Sequence, residues 1–193
     1  MNTEHEPTDT FPTNAALRQQ DPAAFEQLYI VFAPHLRRYL LRLCGDQDIV
    51  DDLLQETFRK AYCALPRVDP EVAVRPWLYT IATNTARSVA RTAHWRRVYT
   101  FNDRALDEPT SSGSVVETQV LTADLVERAL AALKPDHALV LTLHWQEDFS
   151  IDELGYILKL SRDTVKKRLY RAKKAFSTAY ASECADEQER KIL

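Results

Sequence analysis

The sequence predicts an all-α protein: two small helical domains joined by a flexible linker, the second containing a helix-turn-helix. Three observations carry this expectation. Only 3 of the 193 residues are glycine, and Ala, Leu and Arg are the commonest types, a composition that favours helices and is poor for tight β-hairpins. Apolar residues recur at spacings of three and four through most of the chain. Residues 98–122, which include DEPTSSGS, lack that period and carry Asp103, Asp107, Glu108 and Glu117 against one Arg104, as a linker does. The predicted division is an N-terminal tail (1–21), a first domain (22–97), the linker (98–122), a second domain (123–180) and a C-terminal tail (181–193).

The tail of 1–20 is polar and shows no sustained period. A first helix begins near Pro22, with Phe25, Leu28, Tyr29, Phe32, Leu36, Tyr39, Leu40 and Leu43 at helical spacing until Cys44-Gly45, and Pro34 is a candidate kink or break. A second runs from about Asp48 to Leu65, turning Val50, Leu53, Leu54, Thr57, Phe58 and Ala61 inward and stopping before Pro66. Its other face holds Asp51, Asp52, Gln55, Glu56 and Arg59 and is largely acidic. Pro66 to Pro76 reads as a loop. A third helix follows to about Arg97, with Pro76 at its first position. Its apolar set is Trp77, Leu78, Ile81, Ala82, Thr85 and Val89, while Thr80, Asn84, Arg87, Arg91 and His94 form a separate stripe. Two more helices are expected at about 123–133 and 136–146.

Ser150-Ile151-Asp152-Glu153 has the form of a capping box and opens a short helix that ends near Leu158. The brief turn Lys159-Leu160 leads to Ser161, a second N-cap, and to a helix with Val165, Leu169, Ala172 and Phe176 inward. Short capped helix, short turn and basic helix make a helix-turn-helix layout. With Val165 inward and 100° per residue, the outward arc is Asp163, Lys166, Lys167, Tyr170, Arg171 and Lys174. These are side chains suited to base edges and phosphates in a major groove.

Charge supports this reading. The chain carries a formal −3, yet residues 161–175 hold seven Lys or Arg against one acid, and 75–99 hold five against none. Two separated cationic blocks in an acidic protein point to a polyanion partner. Other chemistry is not indicated. No apolar run approaches the ~18–20 residues of a membrane span, and MNTEHEPTDTFPTN lacks the start of a signal peptide, so a cytoplasmic protein with no membrane segment of its own is expected. Cys44, Cys63 and Cys184 are odd in number and far apart, which argues against a disulfide framework or a zinc site. His5, His35, His94, His137 and His144 show no ligand spacing, and no phosphate loop or nucleophile elbow is present. No metal, no cofactor and no catalytic residues are expected, and the chain is not expected to be an enzyme.

Two blocks carry a family resemblance. DIVDDLLQETFRKAY (48–62) and RPWLYTIATNTARSVARTAHWRR (75–97) resemble the second conserved region of bacterial sigma factors. Residues 129–176 resemble the fourth. The direct linker between them resembles the extracytoplasmic-function (ECF) group of the RNA polymerase sigma-70 family, over about residues 22–180. The resemblance implies an alternative sigma factor that binds core RNA polymerase, directs it to specific promoter DNA and helps melt the start region. By it, Asp51, Asp52, Gln55 and Glu56 meet the clamp helices of the polymerase β′ subunit, and the second domain meets the β flap. The loop Pro66–Arg75 captures a flipped base of the minus-ten element, and Asn84, Arg87, Arg91, Trp95, Arg96 and Arg97 hold the opened strand. Ser161, Arg162, Lys166, Lys167, Tyr170, Arg171 and Lys174 serve the minus-thirty-five element. The acidic linker threads toward the RNA path, and an anti-sigma factor is implied as a further partner. Three positions depart from the family pattern: Lys159 where the turn has Gly, Gly155 where a small Ala is usual, and Glu147-Asp148 in place of a Gly-containing connection. The rival readings are a stand-alone helix-turn-helix regulator with a ligand-sensing first domain, and an adaptor that merely occupies polymerase.

Overall fold

The computed structural model describes residues 14–92 and 124–192, and all regular structure among them is helical. In chain order the elements are α1 (Asn14–Arg18), α2 (Pro22–Cys44), α3 (Gln47–Ala64), a 3-10 turn (Leu65–Arg67) and α4 (Val74–Thr92). After these come α5 (124–131), α6 (Pro135–Leu141), a π turn (Thr142–Gln146), α7 (Ile151–Leu158) and α8 (Arg162–Ile192).

The helix ends are written locally. Asp21 accepts from the Ala23 amide and Pro22 opens α2, where the absent N–H costs nothing. Gly45, at φ 68°, closes α2 in the left-handed conformation, and Asp46 caps α3 through the Asp48 amide at 3.0 Å. Pro34 neither breaks nor divides α2, which runs unbroken from Pro22 to Cys44. Pro34 and Ile30 both lie on the exposed face, so the Ile30 carbonyl freed by the proline is open to water.

α2, α3 and α4 form the N-terminal bundle. Leu28, Leu36, Tyr39 and Leu40 of α2 are fully buried with Val50 and Ala61 of α3 and Leu78 and Ala82 of α4. Phe25 packs edge-on to Tyr62 at 5.0 Å, which ties the start of α2 to the end of α3. In the C-terminal bundle, Val140 and Leu143 meet Leu154 and Ile157 of α7 and Val165, Leu169 and Ala172 of α8.

Three expectations are corrected. The N-terminal tail is not wholly irregular: α1 buries Leu17 to 1% exposure, and Asn14 donates to the carbonyl of Val72, across 58 residues of chain. α4 begins at Val74, so Pro76 sits in its first turn rather than at its first position. The C-terminal tail is helix, because α8 continues through 181–192. Arg128 of α5 pairs with Glu183 at 3.5 Å and Glu187 at 3.1 Å, and these long-range ion pairs hold a segment that has no apolar period of its own.

Candidate nucleic-acid and polymerase interfaces

The α7–turn–α8 unit is built from its caps. Ser150 Oγ accepts from the Glu153 amide while Glu153 accepts from the Ser150 amide at 2.9 Å, so both halves of the capping box form. Lys159 closes α7 in the left-handed conformation, φ 55° and ψ 47°, which is the conformation a glycine would take there. Leu160 N donates back to Gly155 O at 3.0 Å. Ser161 Oγ accepts from the Thr164 amide and starts α8.

From that start α8 turns Val165, Leu169 and Ala172 into the core and leaves Asp163, Lys166, Lys167, Tyr170, Arg171 and Lys174 exposed. Tyr170 is 72% exposed, an aromatic ring standing free on a cationic face. Arg162 differs from its neighbours. Its guanidinium grips both carboxylate oxygens of Asp152, at 2.8 and 2.7 Å, joining the two helices of the motif. Ser161 is likewise engaged, in the cap.

On α3, Asp51, Asp52 and Gln55 are exposed and Glu56 is half-buried. Asp51 accepts from Arg37 of α2 at 3.0 Å. Glu56 accepts from Arg59 at 2.6 and 2.8 Å, and that bond, with Lys60 beside it, holds its carboxyl down at about 2. Glu56 therefore remains ionised at any physiological pH.

The α4 stripe is divided. Asn84 is exposed, while Arg87 is half-buried and reaches Asp136 of α6 at 3.7 Å. Asp136 also takes Arg168 of α8 at 3.3 Å. Arg91 falls within α4, and Trp95, Arg96 and Arg97, like His94 and the linker, lie outside the described residues.

Sequence reasoning missed the seam between the bundles. Tyr79, at 1% exposure, donates from its hydroxyl to the carboxylate of Glu147, itself only 7% exposed, and Arg75 donates to the Glu147 carbonyl. Phe149 packs edge-on to Tyr79 at 4.9 Å, and the Arg75 guanidinium lies 4.2 Å from the Phe149 ring centre. Behind Tyr79 stands Tyr39, ring centres 5.1 Å apart, whose hydroxyl donates to Thr83 as Thr83 donates to the Tyr79 carbonyl. Burial and the bond to Glu147 push the Tyr79 phenol far above its usual range. No local pattern announces the two bonds to Glu147, which join residues 68 and 72 positions apart.

The comparisons with known proteins decide the family. Residues 28–96 match sigma-70 region 2 and residues 123–176 match sigma-70 region 4. The ECF RNA polymerase sigma factor SigL of Mycobacterium tuberculosis is 32% identical over 157 residues, covering 80% of this chain and 88% of that protein. The chain belongs to the ECF group of the sigma-70 family. The RNA polymerase sigma factor CarQ of Myxococcus xanthus is also 32% identical, over 149 residues, 77% of this chain and 84% of that one. In fold, the ECF sigma factor resembles the sigma factor RpoE of Bartonella quintana, solved with the anti-sigma factor NepR: TM-score 0.61, 24% identity, 80% of this chain and 95% of the other.

Its function follows from the family: it is an alternative sigma factor that acts in transcription initiation with core RNA polymerase and promoter DNA. The reading as a stand-alone regulator with a ligand-sensing domain is not favoured, since that first domain is region 2. Sigma factors are transcription factors rather than enzymes. Among the described residues no helix is long and apolar enough to cross a membrane.

Proposed function

We propose a division of labour among three surfaces of this cytoplasmic sigma factor. The acidic face of α3, with Asp51, Asp52, Gln55 and Glu56, docks on the clamp helices of the β′ subunit, where fixed negative charge complements a basic partner and speeds encounter. The loop Pro66–Arg75 and the stripe of Asn84, Arg87, Arg91, Trp95, Arg96 and Arg97 take the opened minus-ten strand. Stacking and phosphate contacts there offset an unstacking cost of a few kcal/mol per base step. The exposed face of α8, with Lys166, Lys167, Tyr170, Arg171 and Lys174, reads the minus-thirty-five duplex, while Ser161 and Arg162 set the entry of that helix.

The boundaries that go with this reading are region 2 over 22–97, a linker over 98–122 and region 4 over 123–180, with region 4 also meeting the β flap. An anti-sigma factor is a further partner, a proposal supported by the company in which the structural relative was solved.

The observation that carries the proposal is the pairing, on one chain, of an acidic face on α3 with an exposed cationic face on α8. It is tested by run-off transcription with core polymerase and a panel of genomic promoters. Promoter-dependent transcripts above core alone are expected, and their absence counts against it.

A further inference from the structure

Two prolines bracket the loop between α3 and α4, and each denies a carbonyl the amide that a helix would give it. The residue four past Tyr62 is Pro66 and the residue four past Val72 is Pro76, and neither has an N–H to donate. Both carbonyls are served from one short segment ahead of the bundle. Gln20 Nε2 donates to Tyr62 O at 2.9 Å, and Asn14 Nδ2 donates to Val72 O at 3.2 Å and to Pro70 O at 2.5 Å. The Asn14 amide thereby spends both of its N–H groups on the loop.

The loop is shaped from within but placed from outside. At its crest Val72 N donates to Asp69 O at 3.1 Å and Glu71 N to Asp69 Oδ1 at 2.9 Å, a turn that aspartate and proline favour. Residues 66, 67, 69–71 and 73 are exposed, and of 66–73 Val68 and Val72 pack against the core. α1 gives the crest its fixed point. It packs against the 3-10 turn and α2, with Leu17 buried to 1% exposure, and Gln20 turns to φ 56° where the chain leaves it. Asn14 and Gln20 both lie ahead of the residues 28–96 that match region 2.

We infer that α1 is a brace for the 66–75 loop, and that Asn14 and Gln20 are positioning residues through which a segment ahead of region 2 sets base selection in the minus-ten element. The role in selection rests on assigning that loop to the flipped base; the brace does not. An extruded base is read by a pocket that closely fits it, and a loop free to swing spends binding energy on its own ordering. Holding the crest from α1 removes that cost before DNA arrives.

The test compares the full chain with Asn14→Asp and with Leu17→Ala. Asn14→Asp keeps the side chain's shape and suits the start of a helix, but it has no N–H to give the two carbonyls. Leu17→Ala loosens the seat of α1 without touching the loop. In hydrogen–deuterium exchange of the free protein, both variants are expected to speed exchange of the 66–75 amides about tenfold, the scale of losing one to two ordinary hydrogen bonds, with the α3 peptides unchanged. Unchanged exchange in both overturns the brace. With core polymerase, abortive initiation is then read on promoters carrying each single-base substitution of the minus-ten element. Both variants are expected to flatten the preference at one position about fivefold and to keep the others, a modest change in differential binding. A merely unstable protein would lower every promoter alike and leave the ratios intact. Faster exchange with unaltered ratios, where Arg67→Ala/Asp69→Ala/Glu71→Ala does alter them, overturns the role in selection. If that triple loop variant alters no ratio, base capture by the loop is overturned and the role in selection with it, while exchange still decides the brace.

Discussion

A methyl group on Gly155 would stand 3.0 Å from the carbonyl oxygen of Leu160. That oxygen belongs to a backbone already fixed by the Leu160 N to Gly155 O bond and by the left-handed Lys159. Gly155 thus suits the close return of the chain at Leu160, whose carbonyl a methyl group at 155 would have to displace by a few tenths of an ångström.

From this follows a pair of opposite effects on region 4. Gly155→Ala gains helix propensity but must push backbone that has no slack, so a net loss of about 1 kcal/mol is expected. Lys159→Gly relieves a side chain held in the left-handed region and should gain about 1 kcal/mol. Thermal melting of the full chain, followed by far-ultraviolet ellipticity, measures both. A stabilising Gly155→Ala would mean the turn can yield.

On α8, Lys166→Ala and Arg171→Ala remove exposed charge and leave the core residues Val165, Leu169 and Ala172 untouched. Each is expected to weaken promoter-duplex binding and to lower the slope of log affinity against log salt by about one. Salt titration of fluorescence anisotropy reads that slope, and core binding should not change. An unaltered slope would remove these residues from the phosphate contacts.

Charge reversal on α3 should do the converse. Asp52→Lys and Glu56→Lys are expected to weaken binding to core polymerase by about tenfold each, a change near 1.4 kcal/mol, mostly through slower association. Binding of a minus-thirty-five duplex by the free chain should be retained. Surface-plasmon kinetics at two ionic strengths test this, and equal affinities for variant and parent would move the docking site elsewhere.

Cys44 gives a pH dependence whose sign is fixed. Burial, with Asp46 adding to it, pushes its thiol from an ordinary 9.0 up to about 12. Between those values the unfolded chain has released the proton and the folded chain has not, so the unfolded state binds fewer protons and stability falls as pH rises. The contribution is complete below about pH 9 and lost toward pH 12. Urea melts at pH 8 and pH 10.5 should show a smaller alkaline loss for Cys44→Ala than for the parent.

What was legible in the sequence was whatever is encoded within a few residues. The Ser150 and Ser161 caps, the glycine after α2 and the period of three and four along α2, α3 and α8 are all of that kind. What escaped depends on distant partners. Tyr79 lies off the apolar stripe of α4 and is buried because Tyr39 and Phe149 flank it, one from each bundle. Arg87 shares a stripe with Asn84, yet it meets Asp136 because the second bundle packs there. Leu17 sits in a polar tail, and its burial comes from the packing of α1 against the 3-10 turn and α2. Residues 181–192 lack an apolar face, and Glu183 and Glu187 of their helix pair with Arg128 on α5.

That last arrangement turns α8 into a lever. Its 31 residues make a rod of about 46 Å at 1.5 Å each, with the exposed cationic side chains near one end and the ion pairs to Arg128 near the other. A force or a partner applied beyond Tyr180 is transmitted along continuous helix to Lys166 and Tyr170. A tilt imposed at the Arg128 end of that rod would therefore swing the cationic face at its other end.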